Sequence, residues 1–255
     1  MSATTAPERV TAAALVIGDE ILSGRTADVN LNAIAKFMAA HGVDLAEARF
    51  VADAPEDIVA AVNALRSRYD YLVTTGGIGP THDDITADCV AAAFGVELVE
   101  DPEIIAEMTA RYGEAPNPAR RRMARIPVGG SKIKNIVAGA PGFQIGNVFV
   151  LAGVPAVMRG MLEDLGGRIR GGALVISRTV RVEGSPESFL AAPLERIAKA
   201  FPDLTMGSYP FFGQGVPGAH LVVRGRAPET VARGVAALIA ELAADGIAAV
   251  LVEEP

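Results

Sequence analysis

Short apolar runs alternate along the first part of this 255-residue chain with segments in which apolar residues recur every three or four positions. The runs VTAAALVIG (from residue 10), DLAEARFVAD and YDYLVTTGG predict strands, and the first is typical of a strand buried on both faces. Between and after them, VNLNAIAKFMAAHG, capped by Asp28, PEDIVAAVNALRSR and ITADCVAAAFG predict helices. Strands that alternate with helices pair in parallel through right-handed crossovers, so the pattern predicts an α/β domain with three layers and a mostly parallel sheet.

The pattern changes twice further along the chain. After the predicted helix in DPEIIAEMTARYG, residues 114–147 are rich in turn formers around short extended pieces, and VFVLAGVP and AVMRGMLEDLGG then restore a buried strand and a short helix. Glycines are dense between residues 166 and 172, and beyond them ALVISRTVRVEG, PESFLAAPLERIAKAF, GAHLVVRGRA and PETVARGVAALIAELAADG predict strand, helix, strand and helix. We therefore expect one domain over residues 1–170 and a second, smaller α+β domain over residues 171–255.

Composition restricts the class of protein. The formal net charge is −7, which gives no general attraction to nucleic acid or to anionic membranes, so neither is expected as a partner. Cys89 is the single cysteine, which excludes an internal disulfide framework and suits a reducing compartment. Charges interrupt every apolar stretch before it reaches the roughly 20 residues of a membrane helix, and the first ten residues lack the apolar segment of a signal peptide. The expected location is the cytoplasm.

Candidate chemistry gathers where the predicted parallel strands end, because open α/β sheets bind ligands beyond the carboxyl ends of their strands. GDEILSG (residues 18–24) follows the first strand, Asp53 follows the second, and TTGGIGPTHDDIT (residues 74–86) ends the third. Glycines let backbone amides approach an anion closely, and a following helix N-terminus adds partial positive charge. These features favour a phosphate ligand.

The same loops carry carboxylates that would repel a phosphate. At ~4 Å each unscreened pair of like charges repels by roughly 4 kcal/mol at an effective dielectric constant of 20. A hard divalent cation resolves the conflict, because Mg²⁺ characteristically bridges one or two carboxylates and phosphate oxygens. The alternative is that Asp84 and Thr86 only cap the third helix and that Asp83 is solvated. The acidic candidates are Asp19, Glu20, Asp53, Asp83 and Asp84.

Five ordered blocks of sequence resemble one protein family. GDEILSGRTADVN, TTGGIGPTHDDIT, NPARRRMARIP, NIVAGAPGF and LAGVP are together similar to the molybdopterin-binding (MoaB/Mog-like) domain, and specifically to its CinA-type branch, which also occurs fused to some eukaryotic FAD synthases. The resemblance implies a MogA-like three-layer α/β fold, a pocket for a nucleotide or pterin diphosphate, and a homo-oligomer, either dimer or trimer. The segment from about residue 172 onward, with its GSYP piece, resembles the small domain of CinA-type proteins.

The resemblance also implies roles for individual residues. Asp53 and Asp84 match the two acidic active-site positions of the family, and a divalent metal would be bound by Asp84 with Asp83, Glu20 or Asp19. Two departures are visible: Arg122 replaces a frequent lysine, and residues 138–142 lack the threonine of a GTAPG block. The residues implied to bind the ligand or its phosphates are Gly18, Ser23, Gly24, Gly76, Gly77, Gly79, Pro80, Thr81, Arg122, Pro141 and Gly142.

The loops and the resemblance together predict a metal-dependent pyrophosphohydrolase. It would use Mg²⁺, Mn²⁺ or Co²⁺ and release AMP from an ADP-linked small molecule such as ADP-ribose or FAD. Molybdopterin binding or adenylylation is one alternative, and a nucleotide sensor without turnover is another. Full-length CinA-type proteins carry a further deamidase domain, and this chain ends before one could begin, so we expect no deamidation of nicotinamide nucleotides.

Overall fold

The computed structural model describes residues 9–213 and 216–252, which form two units that meet in sequence between Gly172 and Ala173. The first unit contains, in chain order, β1 (Val10–Ile17), α1 (Asp19–Leu22), α2 (Asn30–Ala40), β2 (Val43–Val51), α3 (Pro55–Arg68), β3 (Tyr71–Thr75), α4 (Thr86–Phe94), β4 (Leu98–Glu100), α5 (Pro102–Tyr112), α6 (Pro118–Arg122), β5 (Arg125–Pro127), β6 (Ser131–Ile133), β7 (Gly142–Ile145), β8 (Val148–Leu151) and α7 (Pro155–Leu165). The second contains β9 (Ile176–Glu183), α8 (Glu187–Ala200), β10 (Thr205–Gly213), β11 (Val216–Gly225), α9 (Pro228–Ala244) and β12 (Ala249–Val252).

The first unit is built on a six-stranded sheet with the order β2-β1-β3-β8-β7-β6. The strands β2, β1, β3 and β8 pair in parallel, whereas β7 is antiparallel to β8 and β6 is antiparallel to β7. The prediction of a mostly parallel sheet is therefore confirmed. The two antiparallel strands come from the turn-rich segment, where the sequence pattern predicted only short extended pieces.

The central strand β1 is covered by helices on both faces. Ala13 and Leu15 belong to a hydrophobic cluster with α3, α4 and α5, whereas Ala12 and Ala14 belong to a second cluster with α2 and α7. Successive side chains of a strand point to opposite faces, so a strand between two helical layers has to be apolar at every position. This arrangement confirms the predicted three layers.

Glycines bring the carboxyl ends of β1, β3 and β8 unusually close together. A Cβ atom on Gly76 would lie 2.1 Å from the carbonyl oxygen of Ile17, and one on Gly153 would lie 3.3 Å from Cα of Gly76. Gly76 also has a φ of 108°, a conformation that residues with a side chain rarely adopt. The loops that follow β1, β3 and β8 therefore begin close to one another at the same edge of the sheet.

The second unit is a four-stranded antiparallel sheet with the order β10-β11-β9-β12. Its helices α8 and α9 bury Leu190 and Leu238 against Val180 and Val182 of the sheet. The order βαββαβ is that of ferredoxin-like domains. The predicted small α+β domain is confirmed, although β10 and β12 were not among the predicted strands.

No helix among the residues that the structure describes is both long and apolar enough to cross a bilayer.

The stability of the first unit should depend on the apolar core between the sheet and the helical layer that contains α2. Ile34 is fully buried in the cluster of α2 and α7, whereas Ile136 is 67% exposed. We expect Ile34→Ala to lower the free energy of unfolding by about 2–5 kcal/mol, because it leaves a cavity in a packed core. The matched substitution Ile136→Ala should change it by less than about 0.5 kcal/mol. Urea unfolding followed by circular dichroism measures both, and equal effects would contradict the layered core.

Candidate functional site

The loops at the carboxyl ends of β1, β2, β3 and β8 line a cavity of about 530 Å³ in the first unit. The carboxyl-bearing residues Glu20, Asp53, Asp83 and Asp84 all contribute to its wall. The predicted ligand-binding residues in the same wall are Gly18, Gly76, Gly77, Gly79, Pro80 and Pro141. Folding thus brings acidic side chains and glycine loops from separate parts of the chain to one cavity.

Most of the remaining wall is apolar. Residues of α7 and of the segment just before it contribute Val154, Val157 and Met161, and Met123 follows α6. A mainly apolar wall with a few convergent polar groups is typical of sites for small organic molecules. These residues, and Thr26 and Asn135, were not among the predicted site residues, although Thr26, Met123, Asn135 and Val154 lie inside the motif blocks.

Asp53 and Asp19 hold the first two loops together. The N–H of Asp19 donates to Oδ2 of Asp53 at 2.9 Å, and the N–H of Asp53 donates to Oδ1 of Asp19 at 3.3 Å. Partial burial raises the pKa of the Asp53 carboxyl, and the negative charges of Asp19, Glu20 and Asp83 raise it further, while the hydrogen bond from Asp19 lowers it. The carboxylates are therefore close enough for their charges to interact.

The carboxylate of Asp84 is held by the glycine loop itself. The N–H and the hydroxyl of Thr81 both donate to Oδ2 of Asp84, at 2.8 and 2.5 Å. A Cβ atom on Gly79 would lie 2.6 Å from the same oxygen, so only glycine leaves room for the carboxylate there. Thr81, which was predicted to bind phosphate, thus orients Asp84 instead of lining the cavity.

The capping alternative does not describe Asp84. The helix α4 begins at Thr86, and its N-cap residue Ile85 makes no side-chain capping hydrogen bond. The hydroxyl of Thr86 donates to the carbonyl oxygen of Gly76 at 2.9 Å, and its N–H donates to that of Gly77 at 2.9 Å. Thr86 therefore fastens the glycine loop to the helix.

Arg122 stands apart from the neighbouring arginines. Arg120, Arg121 and Arg125 form ion pairs with carboxylates. One terminal nitrogen (Nη2) of Arg122 lies 3.3 Å from the main-chain oxygen of Asp84, and its buried Nε has no partner among the described residues. Arg122 lines a small recess that shares Gly79, Asp84 and Pro141 with the larger cavity.

Several predicted site residues lie away from the cavity wall. Ser23 and Gly24 are exposed beyond α1, a single helical turn too short to produce a periodic sequence signal. Gly142 is in β7, where a Cβ atom would lie 2.3 Å from the carbonyl oxygen of Val150, so its role there is close strand packing. Asp19 contributes through its contact with Asp53.

The acidic side chains do not form a metal site by themselves. Within the described ranges, no group of three or more His, Cys, Asp or Glu residues is arranged so that it could hold a metal ion. The wall does offer single carboxylates beside glycine loops. That donor set suits Mg²⁺, which is often held by one or two carboxylates together with substrate phosphates and water.

Comparison with known families identifies the family to which this chain belongs. The sequence model described as "Probable molybdopterin binding domain" matches residues 13–171, and that of the "FAD synthase, middle domain" matches residues 175–250. The chain therefore belongs to the molybdopterin-binding domain family, and its relatives place it in the CinA-like branch.

Individual relatives match different shares of the chain. A CinA-like protein of Desulfosudis oleivorans is 36% identical over 228 residues, which cover 84% of this chain and 52% of that protein. Protein PF0476 of Pyrococcus furiosus is 36% identical over 211 residues, 77% of this chain and 83% of that protein. The crystal structure of a CinA protein of unknown function from Thermoplasma acidophilum matches with a TM-score of 0.60 at 33% identity, over 63% of this chain and 98% of that one. The chain spans about half the length of the CinA-like proteins it matches.

The raised pKa of Asp53 predicts that its charge destabilises the fold at neutral pH. A carboxyl whose pKa is higher in the folded than in the unfolded state binds its proton more tightly when folded, so stability increases as the pH falls through the folded pKa. In metal-free buffer at pH 7, Asp53→Asn should raise the midpoint of thermal unfolding by about 1–4 °C. The gain should shrink toward pH 4, near the ordinary carboxyl pKa of about 3.9.

Asp57 provides a matched control for this measurement. It lies exposed in the first turn of α3, where a negative charge is favourable to the helix. Asp57→Asn removes the same charge and should lower the midpoint slightly. Calorimetry at pH 7 and pH 4 that gave both variants the same sign at pH 7 would contradict the interpretation of Asp53.

Proposed function

We propose that the first unit hydrolyses the diphosphate of an ADP-linked small molecule, such as ADP-ribose or FAD, in a metal-dependent reaction that releases AMP. The observation that supports this most strongly is the shared cavity, whose wall combines four acidic residues with three glycine-containing loops. A diphosphate has the charge and the length to contact both the glycine amides and, through a cation, the carboxylates. The similarity of residues 175–250 to the middle domain of FAD synthase adds support for a nucleotide ligand.

The amides proposed to bind phosphate belong to residues 77–79. The N–H of Gly76 already donates to the carbonyl oxygen of Leu151 at 3.2 Å, and that of Thr81 donates to Asp84. Gly77, Ile78 and Gly79 all lie in the cavity wall. Backbone N–H groups directed at a phosphate stabilise the negative charge that develops in the transition state.

The carboxylates are proposed to hold a divalent cation, which is bound by Asp84 together with Asp83, Glu20 or Asp19. When bound, a divalent cation neutralises the diphosphate and makes nearby water more acidic. Thr81 fixes the orientation of Asp84 through two hydrogen bonds, so this carboxylate is held in place before the ligand arrives. The remaining ligands would be phosphate oxygens and water.

Asp53 is proposed to accept the proton of the attacking water. Its Oδ2 is occupied by the N–H of Asp19, which leaves Oδ1 for this role. The water oxygen forms a new bond to phosphorus while the bond from phosphorus to the bridging oxygen breaks, and AMP and the second phosphate ester leave. The raised pKa of Asp53 favours proton acceptance, because a carboxylate with a higher pKa is a stronger base. Arg122 would stabilise phosphate charge if its guanidinium moves from the main-chain oxygen of Asp84.

A second candidate is molybdopterin binding or adenylylation at the same cavity. The description of the matching family as a probable molybdopterin-binding domain favours it. Pterin fluorescence in the purified protein, together with ATP-dependent product formation in the absence of dinucleotide hydrolysis, would select this candidate. Tight nucleotide binding without product after hours would instead indicate a sensor.

The hydrolase proposal predicts that Asp84 is required for turnover. With Mg²⁺, Mn²⁺ or Co²⁺ and a panel including ADP-ribose and FAD, the protein should release AMP. Asp84→Asn should reduce kcat by about 100-fold or more, because it removes a charged group proposed to act in the transition state. Asp53→Asn should reduce kcat by about 100- to 10,000-fold while leaving the protein folded.

A control variant limits the interpretation of this assay. Asp57→Asn removes an exposed charge of the same unit and should hydrolyse the panel as the unsubstituted protein does. Chromatographic separation of AMP from intact dinucleotide measures each rate. No AMP from any combination of dinucleotide and metal would contradict the proposal, and so would an Asp84→Asn variant with full activity.

A further inference from the structure

Fully buried polar side chains concentrate beneath the cavity. Among the described residues, the polar side chains that are almost completely excluded from solvent are those of Asn30, Thr74, Thr75 and Thr86. Thr74 and Thr75 end β3, and Thr86 starts the helix that follows the glycine loop. Buried polar groups are costly unless they are hydrogen-bonded. The side-chain nitrogen of Asn30 and the hydroxyls of Thr75 and Thr86 are hydrogen-bonded, whereas the hydroxyl of Thr74 has no partner among the described residues. The bonds of Asn30 and Thr75 form a network at the ends of β3 and β8.

Asn30 joins the ends of two strands from a third element. Its side-chain nitrogen Nδ2 donates to the hydroxyl of Thr75 at 2.9 Å and to the carbonyl oxygen of Gly153 at 2.7 Å. The hydroxyl of Thr75 in turn donates to the carbonyl oxygen of Ala152 at 2.8 Å. Ala152, Gly153 and Gly76, the residue after Thr75, all line the cavity. One chain of hydrogen bonds thus joins the end of β3 to the end of β8 beside the cavity.

The main chain of Asn30 connects this network to the acidic loop. Asn30 is the first residue of α2, and the side chain of Asp28 accepts hydrogen bonds from the N–H groups of Asn30 and Leu31, at 3.2 and 3.1 Å. The loop between β1 and α2 supplies Glu20 and Thr26 to the cavity wall. Asn30 therefore directly follows this acidic loop (residues 18–29) and is also hydrogen-bonded to the ends of β3 and β8.

The hydrogen bonding of the Asn30 side chain is not that of a residue that serves stability alone. Only 6% of Asn30 is exposed, and its buried Oδ1 has no hydrogen-bond partner within the described part of the chain. The orientation of the amide is set by Gly153, because a carbonyl oxygen accepts only from the NH₂ group. The unsatisfied Oδ1 lowers stability. What asparagine offers here, and an apolar residue could not, is the pair of hydrogen bonds that Nδ2 donates to Thr75 and Gly153.

We propose that Asn30 is a positioning residue that holds the acidic loop, the glycine loop and the end of β8 at the spacing that a diphosphate requires. Its effect on turnover rests on the proposed function, whereas its effect on the two loops does not. Asn30 does not line the cavity, and it acts through Thr75 and Gly153.

Two substitutions test the network from opposite ends. Asn30→Asp keeps the shape but replaces the donor by an acceptor facing the carbonyl oxygen of Gly153. Thr75→Val keeps the shape and removes the hydroxyl that links Asn30 to Ala152. We expect each to lower kcat for the hydrolysed dinucleotide by about 100-fold, the effect of a small displacement of groups near the reaction. Thr75→Ser, which retains the hydroxyl, should stay within a few-fold of the unsubstituted protein.

Amide hydrogen exchange provides a readout that does not depend on activity. In both variants, exchange should accelerate at the hydrogen-bonded N–H groups of Gly76, in the glycine loop, and Ala152, at the end of β8, and stay unchanged in the centre of β1. Asn32→Asp, an exposed change of the same type on the same helix, should alter neither region. The measurements use the whole chain well below its unfolding temperature, with ADP-ribose and Mn²⁺ for the activity arm.

Each outcome decides the proposal. Uniformly faster exchange across the first unit, or unchanged exchange at both loops, would overturn it. Normal turnover by both variants would also overturn it. If Asn30→Asp does not fold, Thr75→Val and Thr75→Ser carry the same comparison. If the unsubstituted protein hydrolyses nothing, the proposed function fails, and the exchange pattern alone still decides whether Asn30 positions the loops.

Discussion

The architecture of the site depends on how closely three strand ends can approach one another. The ends of β1, β3 and β8 come together because Gly76 and Gly153 have no side chains to separate the backbones. A side chain at Gly76 would overlap the main chain of β1, so this close approach requires glycine at that position. The loops after these three strands start from this meeting point, and the hydrogen bonds of Asn30 and Thr86 constrain their position further. The loop with Asp53 follows β2 and is joined to the first loop by the hydrogen bonds between Asp53 and Asp19.

Electrostatic repulsion is the second constraint, and it acts against stability. Asp53 is partly buried near the charges of Asp19, Glu20 and Asp83, and its pKa is raised as a result. Proteins commonly retain such unfavourable groups where function requires them. The proposed cation and diphosphate would turn this repulsion into binding energy, because the positive ion is attracted to every carboxylate that the fold has brought together.

The residues proposed to bind and hydrolyse the ligand all lie in the first unit. The first, which matches the molybdopterin-binding domain family, contains the cavity and all the acidic candidates. The second is ferredoxin-like and similar to the middle domain of FAD synthase. The chemistry proposed for the ligand rests entirely on residues of the first unit.

Local sequence determined the elements and the loops of this protein, and tertiary structure decided the contacts within the site. The apolar run of β1 and the helical period of α3 are local signals, so both elements were predictable. The motif blocks identified Asp84 and Gly79, and the position directly after the second predicted strand identified Asp53. Asp53 pairs with Asp19 across 34 positions, and Asn30 reaches Gly153 across 123. Such contacts depend on the order of the strands in the sheet, which the residue patterns did not predict. For the same reason Gly142, inside a motif block, packs against β8, whereas Met161, outside every block, lines the cavity.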